Sequence, residues 1–446
     1  MFGNKPFGAD QRFQVWDCCM PSQDMLSVFI RFVDDELKPV ERFVSIKETL
    51  AKTGGALSSH ILSVLEENGL DNSKLISQNY DYAKNMSGEM KGAQNQISMR
   101  LKRNIVYIPC AVHRNNTVVK HASEENTDIV TLLGRIQSIY NFFMCSSKCF
   151  TKQLKSTSTT RWNAKYESVR VVLESFNEIV EALNEIGEAK DDFDNDSRKE
   201  AKSIANNIQT DSFIVYLIFM KNLLAATNAL NSELQKDDLN IITAIEILAK
   251  TVDMLTKDRN NDECLKNLIV LSEKMAEKYS VDFNEEFKLK HCVRRSPKII
   301  DDNPQTTHVF TQTEYYSKQF RAVYDLPINE YSDVIANMTE SVKSSAKLSP
   351  QLIHNVTIDD RKQIYDASLI DDPTLLFSAI ALYSTDIEQC QSLSEAAASI
   401  KQKQSLPRLF QACRFLLSFP VTVASNERGF SELKLVKNRL RSTIGD

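Results

Sequence analysis

The sequence predicts an α+β protein that is mostly helical, and three observations carry that prediction. Glycine and proline are scarce, 11 of each in 446 residues, which disfavours a turn-rich sandwich or barrel. The stretch from about Leu26 to Ser123 mixes β-rich runs with helical ones. From about Thr127 to Lys401, apolar residues recur at helical spacing almost throughout.

Taken in order, an ill-defined first strand near residues 12–16 opens the mixed region. LSVFIRFV (26–33) and VERFVSI (40–46) read as an antiparallel pair joined through Asp34–Pro39. GALSSHILSVLEENGL (55–70) reads as a helix with Ile61, Leu62 and Leu65 on its apolar face. KLISQNYD (74–81) and NIVYIPCAVH (104–113) read as two further strands, so the order is three strands, helix, strand, helix, strand. In the helical region, Val172, Phe176, Ile179, Leu183 and Ile186 form one amphipathic stripe. The acidic stretch 188–200 reads as a solvated loop or helix end, and 294–312, with two prolines, as a linker. A very apolar helix, RLFQACRFLLSF, then runs up to Pro420, and an extended piece leads into the amphipathic basic helix ERGFSELKLVKNRL.

A chain of 446 residues calls for two or three domains, or one domain carrying a large insertion. The net charge of −5 supplies no global attraction to nucleic acid, so any such binding must use local basic stretches. Nine cysteines, odd in number and scattered, fit a reducing compartment. No basic segment followed by an apolar core opens the chain, and the longest apolar run, FIVYLIFM at 213–220, falls short of the ~20 residues of a spanning helix. The expectation is a soluble intracellular protein without a membrane partner.

Six stretches hold residues capable of chemistry. Asp81 follows a strand, where a carboxylate can hold a divalent cation through its oxygens or simply cap a turn. Cys110 and His113 lack the second pair that a zinc site needs, as do Cys145 and Cys149, and read as buried structural residues. Arg161 and Trp162 stand in an acid-free run with Lys148, Lys152, Lys155 and Lys165, a composition suited to phosphates and a stacked base, or to a core tryptophan ringed by solvated lysines. A second basic stretch holds Arg100, Lys102, Arg103, Arg114 and Lys120. Glu427 follows the N-cap candidates Ser425 and Asn426, where the helix dipole favours an acid by ~0.3–1 kcal/mol, yet Arg428 beside it is unfavourable there.

IRFVDDELKPVERFVSI, YDYAKNMSG, CAVH, TTRWNAKYESV and FPVTVASNERGFSELKLVKNRLRST together resemble landmarks of the hAT superfamily of DNA transposases, nearest the domesticated branch of MYM-type zinc finger and repressor-like proteins. The resemblance implies a ribonuclease-H-like αβ domain interrupted by a large all-α insertion: residues 1–126 and 402–446 form the αβ domain and 127–401 the insertion. It implies three carboxylates binding two Mg²⁺ or Mn²⁺ ions, with Asp81 as the second and Glu427 as the third. It implies DNA contact and base stacking by Arg161 and Trp162, with Lys155 and Lys165 beside them. Cys110 and His113 match a motif near the active site, and the C-terminal segment matches a dimerisation region, which implies a homodimer or higher homo-oligomer in the nucleus. The family's first Asp-Glu pair falls on Val15 and Trp16, with Asp17 two positions away, and Tyr82 replaces a glycine. Such departures, and the lack of a zinc finger, lead to the expectation of a truncated, non-catalytic, transposase-derived protein that binds nucleic acid and self-associates. The alternatives are an active DDE-type transposase or nuclease using Asp17, Asp81 and Glu427, and a protein-interaction scaffold with no DNA role.

Overall fold

A computed structural model describes residues 13–20, 25–49, 53–80, 83–145, 162–189, 193–236, 239–279, 310–336, 340–368, 372–403 and 405–419, with 281 and 287–288. The protein is α+β and mostly helical. Its mixed region runs β1 (Phe13–Met20), β2 (Met25–Val33), β3 (Pro39–Glu48), α1 (Gly54–Glu67), β4 (Leu75–Tyr80), α2 (Lys84–Ser87), α3 (Ala93–Arg100) and β5 (Val106–Pro109). Helices then follow: α4 (Ala111–Glu124), α5 (Thr127–Cys145), α6 (Trp162–Glu174), α7 (Phe176–Glu188), α8 (Asn195–Ile208), α9 (Asp211–Leu234), α10 (Ile241–Asn260), α11 (Asp262–Lys278) and α12 (Gln312–Ala336). The last described helices are α13 (Glu340–Ala346), α14 (Ile358–Ser368), α15 (Pro373–Glu388), α16 (Leu393–Gln402) and α17 (Pro407–Ser418). The chain forms two compact units, one from residues 1–115, 231–248 and 334–446, the other from 116–230 and 249–333.

The first unit holds a five-stranded sheet in the order β3-β2-β1-β4-β5. β1, β2 and β3 pair antiparallel, whereas β1–β4 and β4–β5 pair parallel. Alternation along β2 places Leu26, Val28, Ile30 and Phe32 in one apolar cluster with Leu57, Ile61 and Leu65 of α1 and Ile97 of α3. Burial of each such side chain stabilises by about 1.5–3 kcal/mol. Thr53 caps α1 by accepting the Ala56 N–H, and the helix ends at Glu67, before the expected residue 70. Gly69 takes φ 71°, and Leu70 N–H turns back to the Leu65 carbonyl, which closes the helix.

Backbone contact dictates glycine at the start of α1. A Cβ on Gly54 would lie 2.1 Å from the Lys91 carbonyl oxygen, while one on Gly55 would meet nothing nearer than 3.9 Å. Gly54→Ala is therefore expected to lower stability by ~1–3 kcal/mol or more, through forced backbone displacement. Gly55→Ala, one residue on, should be neutral or stabilising by up to ~1 kcal/mol. Thermal melts of the pair check this, and equal melting points would refute it.

The β2–β3 hairpin turns where the sequence places it. Asp34 accepts the N–H groups of Glu36 and Lys38, each at 2.9 Å, an Asx-type turn. Leu37 sits at φ 63°, a left-handed conformation that costs a branched residue roughly 1–2 kcal/mol, yet its side chain is buried. Two late helices hold the tip: Lys401 of α16 donates to the Asp35 carbonyl at 2.5 Å, and Arg414 of α17 to the Val33 carbonyl at 2.6 Å. Arg31 of β2 pairs with Glu41 of β3 at 2.9 Å and donates to the Leu239 carbonyl at 3.0 Å, fastening segment 231–248 within this unit.

In the helical unit, the stripe expected to run along one helix is shared by two. α6 ends at Glu174 and α7 begins at Phe176, with buried Ser175 between them, yet Val172, Phe176, Ile179, Leu183 and Ile186 are all buried. Phe219 of α9 stacks on Phe320 of α12 with centroids 4.1 Å apart. Tyr316 donates to Asp211 at 3.1 Å, which satisfies a fully buried carboxylate at the head of α9. By length and composition α9 is able to cross a membrane, with mean hydropathy 1.6 over its most apolar window, but 67% of that window is buried inside the protein. It serves as a core helix.

Candidate catalytic and nucleic-acid-binding site

β4 is the element that leads to Asp81. Its Ser77, Gln78 and Asn79 are polar and fully buried, an unusual run for a central strand. Gln78 donates to the carbonyls of Gln94 and Ile105, at 2.9 and 3.1 Å, and so ties the strand to the first turn of α3 and to the residue just before β5. Its last residue, Tyr80, is fully buried and stacks on Tyr107 at 6.2 Å. Asp81 itself lies outside the described residues, as does Glu427. Beyond Asp81 the chain is tightly held: Ala83 accepts the N–H groups of Met86 and Ser87, and Gln94 donates to the Ser87 carbonyl at 2.7 Å.

The Cys110–His113 motif sits directly against this strand end. The sequence suggests that the β5 strand continues through His113, whereas it stops at Pro109 and α4 begins at Ala111, with Cys110 between them. The Cys110 N–H donates to the Tyr80 carbonyl at 3.1 Å, and its buried thiol accepts the His113 N–H at 3.4 Å. Cys110 thus supplies both the last link to β4 and a cap for α4, a role in which a thiol is a weak but adequate acceptor. Spacing alone hints at this, because a small polar residue three positions before the capped N–H is a capping signature.

Asp17 lies within β1, in register with Val28 of β2, and Trp16 beside it is in register with Asn79 of β4. β1 and β4 are therefore neighbours, which brings the strand carrying Asp17 next to the strand that precedes Asp81. Among the described residues, no three His, Cys, Asp or Glu side chains are grouped to hold a metal ion.

Of the expected DNA contacts, Trp162 opens α6, while Arg161 and Lys155 lie outside the described residues. Lys165 is half-buried in α6; burial pushes its ammonium pKa down, and Glu124 partly opposes that. The second basic stretch is largely occupied by the fold. Arg103 donates to three carbonyls, of Asn72, Ser73 and Leu75, at 3.1, 2.9 and 2.6 Å, and Arg100 donates to that of Gly55 at 3.1 Å. Charge in the sequence does not reveal this, because a guanidinium serves backbone oxygens as readily as phosphates.

A family model described as the ZMYM1/FAM200 RNase-like domain matches residues 16–92, from β1 through α2. The chain is also similar to proteins named 52 kDa repressor of the inhibitor of the protein kinase. The mouse protein is 20% identical over 459 residues, covering 95% of this chain, and the human protein 21% identical over 458 residues, again covering 95%. The chain spans 58% of the length of each. Both comparisons support a domesticated, hAT-like family.

Proposed function

We propose that the chain is a transposase-derived protein, non-catalytic, that binds nucleic acid and associates with copies of itself in the nucleus. The observation that carries this reading is the β3-β2-β1-β4-β5 order, with β1 beside β4 and α17 returning to the β2 end through Arg414. The family model described as RNase-like matches the stretch from β1 through α2, which holds four of these five strands. The return of α17 brings the chain back to the sheet only a few residues before the segment that holds Glu427. The interrupted-domain reading, with a helical insertion between the β5 side and the C-terminal helices, belongs to this proposal. So do Asp81 and Glu427 as remnants of a Mg²⁺ or Mn²⁺ site, and Arg161, Trp162, Lys155 and Lys165 as DNA contacts. The similarity to proteins named as repressors favours the nuclear, non-catalytic version.

The non-catalytic reading rests on chemistry: a two-metal centre shares charged oxygens between its ions, and in the expected first position the chain has Val15 and Trp16. The expected result is duplex binding that persists in EDTA and weakens steeply with salt, since neutralised phosphates release counterions. Fluorescence anisotropy of a labelled duplex against the full chain, with and without EDTA, measures it. Replacing Arg161 and Trp162 together by alanine should weaken that binding by at least about tenfold. Metal-dependent nicking that Glu427→Gln abolishes would establish the active-nuclease reading instead, and no binding at low salt would establish the scaffold.

A further inference from the structure

We infer that the α2–α3 surface is a docking face for the phosphate backbone of duplex nucleic acid, separate from the Arg161–Trp162 segment; this rests on the proposed nucleic-acid reading. Between Ala83 and Ser123 the chain carries seven Lys and Arg residues against one acid, Glu89, within a protein of net charge −5. Close backbone approach gathers four of those cations. The Gly88 N–H donates to the Lys84 carbonyl at 3.1 Å and the Gly92 N–H to the Gly88 carbonyl at 3.0 Å, a stacking that a Cβ on either glycine would obstruct. Gly54 lies against the Lys91 carbonyl, and the Arg100 guanidinium donates to the carbonyl of Gly55, the next residue, at 3.1 Å. Lys84, Lys91 and Arg100 therefore surround one short stretch of backbone, with Lys102 two residues beyond Arg100.

All four are exposed, and none has a carboxylate within ion-pair distance among the described residues. Arg100 is held by a neutral carbonyl, which fixes the guanidinium without cancelling its charge. Arg103 and Lys74, in contrast, have Asp71 nearby. Four like charges opposed by Glu89 alone sustain a positive potential that an extended polyanion relieves. The eight residues of α3 span ~12 Å, and a duplex presents one charge per ~1.7 Å of its axis, so several phosphates pass along such a face. An extended peptide, at ~3.3 Å per residue, would need an acid at nearly every position to come close. Among the described residues the face offers no stacking ring, since its exposed large apolar side chains are Met90 and Met99, 80% and 64% exposed. Bases therefore gain nothing there from leaving the stack, and the surface suits a duplex, whose charge lies outside and whose bases stay paired.

The test is fluorescence anisotropy of a labelled DNA duplex of about 20 base pairs with the full chain across a salt series, with oligothymidylate and polyglutamate as further probes. Lys84→Gln/Lys91→Gln/Lys102→Gln should reduce the slope of log affinity against log salt by about 2.7, for three lost contacts at ~0.9 each, and weaken binding roughly 100-fold at about 0.1 M salt. Lys250→Gln/Lys257→Gln/Lys274→Gln removes three exposed and likewise unpaired lysines from α10 and α11, and should leave the slope unchanged. All six side chains are exposed, so circular dichroism should show both variants folded. A wild-type slope in the α2–α3 variant, or an equal fall in the α10–α11 variant, would overturn the face while leaving the broader DNA reading intact. Oligothymidylate or polyglutamate bound as tightly as the duplex would overturn it in favour of a single strand or of an acidic protein partner. A wild-type chain that binds no duplex at low salt would instead defeat the proposed function itself.

Discussion

Replacing Arg31 by alanine is expected to lower stability by about 3–5 kcal/mol, a large share of what a domain possesses. Arg31 is 2% exposed, and its partners include Glu41 across the β2–β3 pair and the Leu239 carbonyl. Truncation removes the donor from both, takes this cation from a carboxylate 22% exposed, and opens a void the width of a long side chain. Arg31→Met keeps most of the volume, so it should recover the packing part of the loss and none of the electrostatic part. Arg31→Met combined with Glu41→Leu should recover more still, because an apolar pair of similar size often matches a buried ion pair. Urea unfolding gives the measurement. The midpoint should fall in the order double variant, Arg31→Met, Arg31→Ala, and a midpoint for Arg31→Ala equal to wild type would refute the assignment.

Asp360 is expected to show the second largest effect, and it depends on pH. Its carboxylate accepts from Lys347 at 2.7 Å, from the Thr357 N–H and hydroxyl at 2.8 and 2.6 Å, and from Ser344 at 2.8 Å. Burial alone would raise its pKa, but these hydrogen bonds outweigh burial and hold the carboxyl well below the usual carboxylate range. A folded-state pKa below the unfolded value means that the contribution is fully present above the unfolded pKa of ~3.9 and is lost as pH falls towards the folded one. Asp360→Asn should therefore cost roughly 2–4 kcal/mol at pH 7, and the gap to wild type should narrow progressively below about pH 4. Denaturation at pH 7, 4 and 2.5 reads this out; a gap that stayed constant, or widened in acid, would show that the carboxylate is not held in its charged form.

The parts of the fold that were legible in the sequence are those where local and tertiary preferences agree. β2 and β3 alternate, Asp34 marks their turn, and α1 carries its apolar face at helical spacing, so sequence and structure coincide there. β1 is faint because a central strand that reads FQVWDCCM draws its stability from neighbours on both sides and not from a pattern of its own. Cys110 reads as part of a strand in the sequence because its type is compatible with one; only the backbone link to Tyr80 and the bond from His113 reveal a cap. Lys102 at φ 51° has no sequence signal at all, as glycine is the usual residue in that conformation. The candidate site was readable only through resemblance. Nothing local distinguishes a metal-binding Asp81 from a turn-forming one, and Arg100 and Arg103 looked like phosphate ligands until their carbonyl partners were located.

The bond from Arg414 to the Val33 carbonyl joins residues 381 positions apart and has a consequence for biosynthesis. Ribosomes extend a chain by about 5–20 residues each second, so a nascent β2–β3 hairpin must wait roughly 20–80 s for the helices that hold its strained tip. The intervening helices, rich in short-range contacts, can form during that interval. Newly made protein should accordingly carry the β2–β3 tip without its helical supports throughout that interval, a natural client for chaperones that shield unfinished structure.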